Sequence, residues 1–231
     1  LADYIKFKQP VCVVAPVDYA LTNESLLQVY QQLDLWSLQA VTMGSYGLNN
    51  LLLSNGANFA YQKIVFTAVR GFEGNLHIAS GDDMFLLEKF KASFPTDIGY
   101  LKSSNAIVTT SPVLSWRNLI SQRIRWASKT TQQKSTTTKW VGLVVVANSF
   151  ILLLIPFLCI FKHDHTQAFL VMFGIKMVVD YLFIQGSAKF FGKQIPRYFI
   201  LSFYINAWVT VTVFLLSIVG KYTWKQRTFK H

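Results

Sequence analysis

The last third of the chain limits its possible folds more than any other feature. Three apolar stretches, over 140–161, 166–184 and 198–219, follow one another with short polar breaks, and the first and third contain no Lys, Arg, Asp or Glu. As helices rising about 1.5 Å per residue, such stretches approach or cover the roughly 30 Å of a bilayer's hydrocarbon. The expected architecture is therefore a water-soluble part followed by a membrane region with up to three helices and a basic tail over 140–231.

Charge follows the same division. Of the formal +11, residues 1–139 contribute 13 Lys/Arg against 9 Asp/Glu, and residues 140–231 contribute 9 against 2. Cations placed between and beside apolar segments are the mark of cytoplasmic membrane flanks. The excess positive charge thus points to membrane lipids as partners and to no nucleic acid. The loop 185–197 holds Lys189, Lys193 and Arg197, and the tail after 219 is basic as well. Three full crossings would put that loop and that tail on opposite sides, against the positive-inside preference. Either the tail is an exception to that preference, or one segment is re-entrant or interfacial, with 166–184 the first candidate because it carries Lys176 and Asp180. One helical turn apart, these two are expected to form an ion pair. Cys12 and Cys159 are the only cysteines, too far apart in sequence for a disulfide framework or a CxxC metal site, which fits a reducing, cytosol-facing soluble part. His163 and His165 flank Asp164 in a short loop that reads as a solvated turn. The opening LADYIKFKQP has no signal-peptide pattern, and the chain is expected to lack its own start.

Residues 1–115 read as a mixed α/β piece. VCVVAPV over 11–17 is β-branched and ends by a proline, as a buried strand does. Over 23–41, Leu26, Leu27, Tyr30, Leu33 and Leu38 recur at helical spacing behind an Asn23 cap, predicting an amphipathic helix on that strand. Residues 116–139 carry six Lys/Arg and no acid, interleaved with Trp116, Leu119, Ile120, Ile124 and Trp126. That pattern predicts an interfacial amphipathic helix, its apolar side in acyl chains and its cations among headgroups.

Three short stretches could carry chemistry. In SGDDMFLLEKF, Asp82 and Asp83 open a predicted helix, where free backbone N–H groups and the helix dipole hold a carboxylate ionised; with Ser80 as cap they are otherwise simple capping acids. In SNGANFAY, Gly56, Ala57 and Asn58 offer a left-handed or ligand-hugging backbone and an amide able to donate to and accept from a polyol, or else an ordinary loop. In QRIRW, over 122–126, arginine supplies a planar fork for phosphate, glutamine bonds sugar hydroxyls and the indole face stacks on a pyranose. Beside a membrane the same residues also serve as an interfacial anchor.

GANFAY, then GDD, then QRIRW, then a basic stretch and apolar helices is an order that resembles the C-terminal half of membrane-integrated family-two glycosyltransferases. These enzymes have the GT-A fold, and the group includes cellulose, chitin and hyaluronan synthases and the ceramide glucosyltransferases. The resemblance covers nearly the whole chain, with GKYTWKQR similar to the short tail of bacterial members. It implies a partial GT-A domain, the acceptor-side half, over 1–115, then the interfacial QxxRW helix over 116–139. It also implies a multi-pass protein of the plasma (inner) membrane with its catalytic part cytoplasmic.

By the same resemblance Asp83, partnered by Asp82, is the general base. Arg125 would hold the nucleotide diphosphate, Gln122 and Trp126 would line the acceptor site, and Gly56, Ala57 and Asn58 would lie near donor sugar and acceptor. The implied reaction is inverting transfer of a hexose from a nucleotide sugar, expected to be a UDP-sugar, to a polysaccharide or lipid acceptor, with Mg²⁺ or Mn²⁺ as cofactor. The family coordinates that metal through a DxD, and no DxD occurs here. The metal's ligands and most of the donor site are thus expected in an N-terminal half, and the isolated chain is expected to be inactive. A non-processive glycolipid synthase, and a non-catalytic degenerate transferase or membrane scaffold, are the rival readings.

Overall fold

The computed structural model describes residues 1–74, 81–130, 135–161, 166–219, 222–224 and 227–229. The chain is mostly helical, 68%, with a small mixed sheet and three apolar helices long enough to cross a membrane. A partial α/β layer followed by a helical region is compatible with that, although helix outweighs strand far more than the expected α/β label conveys.

The 11–17 run forms two short strands instead of one. Strand β1 (Cys12–Val14) and strand β2 (Val17–Tyr19) flank Pro16, which has no N–H to donate to a ladder. Its carbonyl still accepts from Val108 N at 3.1 Å. Helix α1 (Ala2–Lys8) precedes them and buries none of its residues. Strand β1 is central, antiparallel to β3 (Phe59–Tyr61) and parallel to β4 (Ile98–Tyr100), while β2 pairs in parallel with β5 (Val108–Thr110). Every residue of β1 and β2 is buried, as a continuous β-branched run requires. One core joins Val11, Cys12 and Val14 to Leu86, Leu87 and Phe90 of a helix over 82–93.

Helix α2 (Leu26–Gly47) is longer than the 23–41 expectation, and its N-cap is Ser25 rather than Asn23. Asn23 lies outside the helix, where its Oδ1 accepts from Ser25 N at 3.0 Å. Gln28, in the first turn, reaches back and accepts from Thr22 N at 2.9 Å and Asn23 N at 3.2 Å, satisfying donors ahead of the helix as a capping box does. The helix is buried on more than its apolar stripe. Val29, Leu33 and Trp36 pack on Ile184, Ala188 and Phe191, while a row of buried glutamines faces the strands. Gln39 accepts from Val17 N at 3.3 Å, and Gln31 exchanges bonds with Val113, accepting from its N at 2.9 Å and donating to its O at 3.0 Å. A glutamine amide supplies both a donor and an acceptor, which is what an unpaired backbone edge needs.

Between α2 and β5 lie α3 (Lys63–Ala68) and α4 (Asp82–Ser93). Helix α5 (Trp116–Thr130) carries QRIRW. The apolar helices are α6 (Thr136–Phe161), α7 (Thr166–Phe190) and α8 (Phe199–Val219). Two expectations change here. The apolar side of α5 does not lie in acyl chains: Leu119 is fully buried in a cluster with Tyr30, Val209 and Val213, so α8 and α2 cover it. Helix α7 is a single unbroken helix rather than a re-entrant segment, and Lys176 and Asp180 on it pair at 2.6 Å as expected. After α8, the short strands β6 (Tyr222–Trp224) and β7 (Arg227–Phe229) pair antiparallel, and β6 lies against α5.

Candidate functional site

Two of the three chemical stretches meet. Gly81, at φ +99°, turns the chain into α4, so the helix begins at Asp82 and its cap is glycine; Ser80 lies outside the described residues. Asp82 is exposed at the first helical position and Asp83, half-buried, stands at the second. One carboxylate oxygen of Asp83 accepts from Gly56 N and the other from its neighbour Met84 N, both at 2.9 Å. Gly56, Ala57 and Asn58 form a 3₁₀ turn whose cap, Asn55, accepts from Ala57 N at 3.0 Å. Gly56 and Ala57 are exposed, so the Asp83 carboxylate sits at a solvent-facing corner with backbone donors aimed at it.

Gly56 itself is not left-handed, contrary to one reading of the sequence. A Cβ added there would meet Asp83 Cβ and Oδ2 at 3.7 Å, ordinary contact, so the glycine is not demanded by sterics. Asn58 also has a different job from the one expected. Its side-chain amide donates to Pro16 O at 2.8 Å and to Ala106 O at 2.7 Å, and its backbone carbonyl accepts from Ala15 N at 3.0 Å. Both side-chain donors are therefore committed to bracing the β1–β2 corner against the segment before β5, and neither is available to a polyol.

QRIRW closes on its first arginine. Arg123, buried, pairs with Asp34 of α2, donates from Nη1 to Gln122 Oε1 at 3.0 Å and lays its guanidinium 4.2 Å from the Trp126 ring centre. Burial works against the Arg123 charge, but Asp34, with Tyr19 and Tyr30, more than offsets it and raises the pKa above its ordinary value. Burial, more than Asp34, pushes the Tyr30 hydroxyl well up. Gln122 and Trp126 are thus engaged with Arg123, while Arg125 is half-buried two residues on. Among the described residues, none of the hydrogen bonds of Asp83 reaches α5. The nearer link is Glu88 of α4, which accepts from Ser135 N at 3.1 Å just beyond the QRIRW helix.

Two pairings escaped sequence reasoning. Besides Arg123–Asp34, the buried Asp18 of β2 accepts from Tyr19 N at 2.8 Å and Trp36 Nε1 at 3.0 Å and pairs with Lys193 at 2.5 Å. Lys193 lies between α7 and α8, so Asp18 fastens the apolar bundle to the small sheet. Both had a signal: Asp34 is the sole acid of a helix with no Lys or Arg, and Asp18 follows a β-branched run. A buried acid without a local cation must find a distant one.

Among the described residues no group of three or more His, Cys, Asp or Glu side chains gathers in a way that could hold a metal ion. Asp82 and Asp83 alone do not make the donor set for Mg²⁺ or Mn²⁺. His163, Asp164 and His165 lie outside the described residues. No family model matches this sequence, and no curated protein or solved structure matches it at a significant level.

Proposed function

We propose that the protein is an inverting, family-two type glycosyltransferase associated with a membrane, moving a hexose from a nucleotide sugar to a polysaccharide or lipid acceptor. One observation carries this reading: Asp83, at the start of α4, is held by Gly56 N–H at an exposed corner, joining two residues that are 27 positions apart. A carboxylate oxygen with one N–H donor keeps a second lone pair for an incoming hydroxyl. Asp83 would take the proton from the acceptor hydroxyl as its oxygen attacks the anomeric carbon, and the nucleoside diphosphate would leave from the opposite face. Charge growing on that diphosphate would be met by the guanidinium of Arg125. The described residues do not assemble a metal site, so no step of this proposal passes through Mg²⁺ or Mn²⁺.

A second reading, a non-catalytic membrane scaffold, is favoured by a different observation. Arg123 occupies Gln122 and Trp126, so QRIRW is a structural clasp between α5 and α2 as it stands. Turnover of sugar nucleotides, UDP-sugars first and with Mg²⁺ or Mn²⁺ supplied, by membranes carrying the protein separates the two. Asp83→Asn is expected to abolish transfer with nucleotide affinity nearly unchanged, and Arg125→Ala to weaken nucleotide binding as well. Normal turnover by Asp83→Asn removes the base assignment, and the absence of both turnover and any sugar-nucleotide binding that Arg125→Ala weakens favours the scaffold.

A further inference from the structure

A cavity of about 340 Å³ lies at the seam where α2 meets α6, α7 and α8. Its wall is mixed: Leu33, Ile184 and Phe203 are apolar, while Asp34, Lys176 and Asp180 are charged. Polar groups along apolar helices are costly and face a cavity or one another. Here the charges are already matched, Asp34 by Arg123 and Asp180 by Lys176. The seam therefore has no net charge to offer an ion. It does offer hydrogen bonds. The Ser202 hydroxyl is buried without a partner, on a residue only 3% exposed. The Asn148 side chain, also on the wall, makes no hydrogen bond among the described residues, and the Asn206 side chain accepts only a long one, 3.4 Å, from Tyr30. A buried hydroxyl left unpaired costs stability until something bonds to it.

The cavity also opens sideways. Val144 and Val145 of α6 and Phe183 of α7 belong to its wall and are 61%, 47% and 44% exposed, on the outer faces of helices suited to a bilayer. A ligand that reaches the seam through that rim has an apolar part to leave against it. We propose that this cavity is a lateral site for a membrane lipid with an uncharged, hydroxyl-bearing headgroup. The headgroup hydroxyl and the ester carbonyls beside it bond among Ser202, Asn148 and Asn206, and the acyl chains run out over Val144 and Phe183. An anionic phosphate is disfavoured because Asp34 and Asp180 are in the wall and both cations are taken. This site does not depend on the transferase reading, and its test reads binding rather than turnover.

The test is photolabelling of the full chain in phosphatidylcholine nanodiscs with two matched probes. One is a diacylglycerol carrying a diazirine on one acyl chain, and the other is the phosphatidate with the same chains. Wild type is expected to label at the α6–α8 seam with the diacylglycerol at least about tenfold more than with the phosphatidate, since an unpaired buried charge costs more than a neutral group. Asp180→Asn frees Lys176 and is expected to reverse that preference, an outcome a purely structural ion pair does not produce. Ala207→Phe fills a wall position and is expected to remove labelling by both probes. Asn148→Leu, on an exposed position that folding tolerates, is expected to lower diacylglycerol labelling about fivefold. Equal or stronger labelling by phosphatidate in wild type overturns the proposal, as does a preference that Asp180→Asn leaves in place. Displacement of the diacylglycerol by free glycerol at millimolar concentration overturns the lipid as the source of the hydroxyls.

Discussion

Removing Asp34 should cost this protein more than any other single carboxylate. Asp34→Ala leaves the Arg123 guanidinium inside the contact between α5 and α2, where the two side chains are only 10% and 16% exposed. Breaking a buried pair by deleting one partner costs about 3–5 kcal/mol, because the surviving charge has lost both water and counter-charge. Arg123 keeps its bond to Gln122 and its place over Trp126, so the lower end applies, about 3 kcal/mol. The Arg123 Nε is already buried without a partner, so the site has no spare acceptor to move to. For a chain of this size, about 3 kcal/mol corresponds to a midpoint lower by about 6–12 °C.

The assay is thermal unfolding in detergent, followed by the monomer peak remaining after heating. Arg123→Met should cost a similar amount, about 3 kcal/mol, because Asp34 is then left without its counter-charge beside an apolar seam. The double variant Asp34→Ala/Arg123→Met removes both charges and should lie closer to wild type than the sum of the singles. A midpoint shift under about 2 °C for Asp34→Ala, or an additive double variant, would refute the clasp between α2 and α5.

Other substitutions test separate parts of the structure. Gly56→Ala is expected to cost under about 1 kcal/mol in stability and to keep any transfer activity, because its φ is ordinary and the new Cβ stands 3.7 Å from Asp83; loss of folding would show a tighter corner than this one. Tyr100→Phe removes a buried hydroxyl with no partner and should raise stability by up to about 1 kcal/mol, so a lower midpoint in the same thermal assay would mean the hydroxyl has a bond. Burial pushes the Cys12 thiol up to about 12, so maleimide at pH 8 should leave Cys12 unlabelled in the folded protein and label it in denaturant. The sign for stability follows: the unfolded thiol ionises near 8.5, so this group's contribution is present below that pH and is lost as pH rises toward 12.

The parts of the fold that the sequence revealed are those decided locally. Uncharged runs long enough for a bilayer became α6 and α8, and the i, i+4 spacing of Lys176 and Asp180 became an ion pair, because helix geometry alone sets both. The helix start at Asp82 was legible for the same reason, but its cap was not, since a glycine at positive φ supplies no side-chain signal that distinguishes it from the serine beside it. Where tertiary partners decide, the sequence reading went elsewhere. The apolar stripe of α5 specifies that something apolar covers it, and a lipid tail and Val209 of α8 satisfy that demand equally. Asn58 was read as a ligand group because its amide is versatile, and the same versatility lets it bind two backbone carbonyls from different segments.

The choice between the two arginines of QRIRW follows from the same distinction. Positions 123 and 125 carry the same side chain; the QxxRW resemblance points to Arg125, and the partner across the interface gives Arg123 a separate structural role. Helix α2 places Asp34 opposite Arg123, and burial then makes that pair obligatory, since neither charge is stable there alone. Arg125, on another face of the helix, takes no part in the Asp34 pair, and in the proposed reaction its guanidinium would meet the diphosphate. Gln122 and Trp126 occupy an intermediate position. In the proposed reaction they would touch the acceptor while the Arg123 clasp holds them, and Arg123 would then be a positioning residue rather than a catalytic one. In that arrangement Arg123→Lys would raise the acceptor KM and leave nucleotide affinity unchanged, because a lysine can keep the charge opposite Asp34 but cannot donate to Gln122 and cover the Trp126 ring together. A fall in nucleotide affinity would assign the diphosphate contact to Arg123 instead.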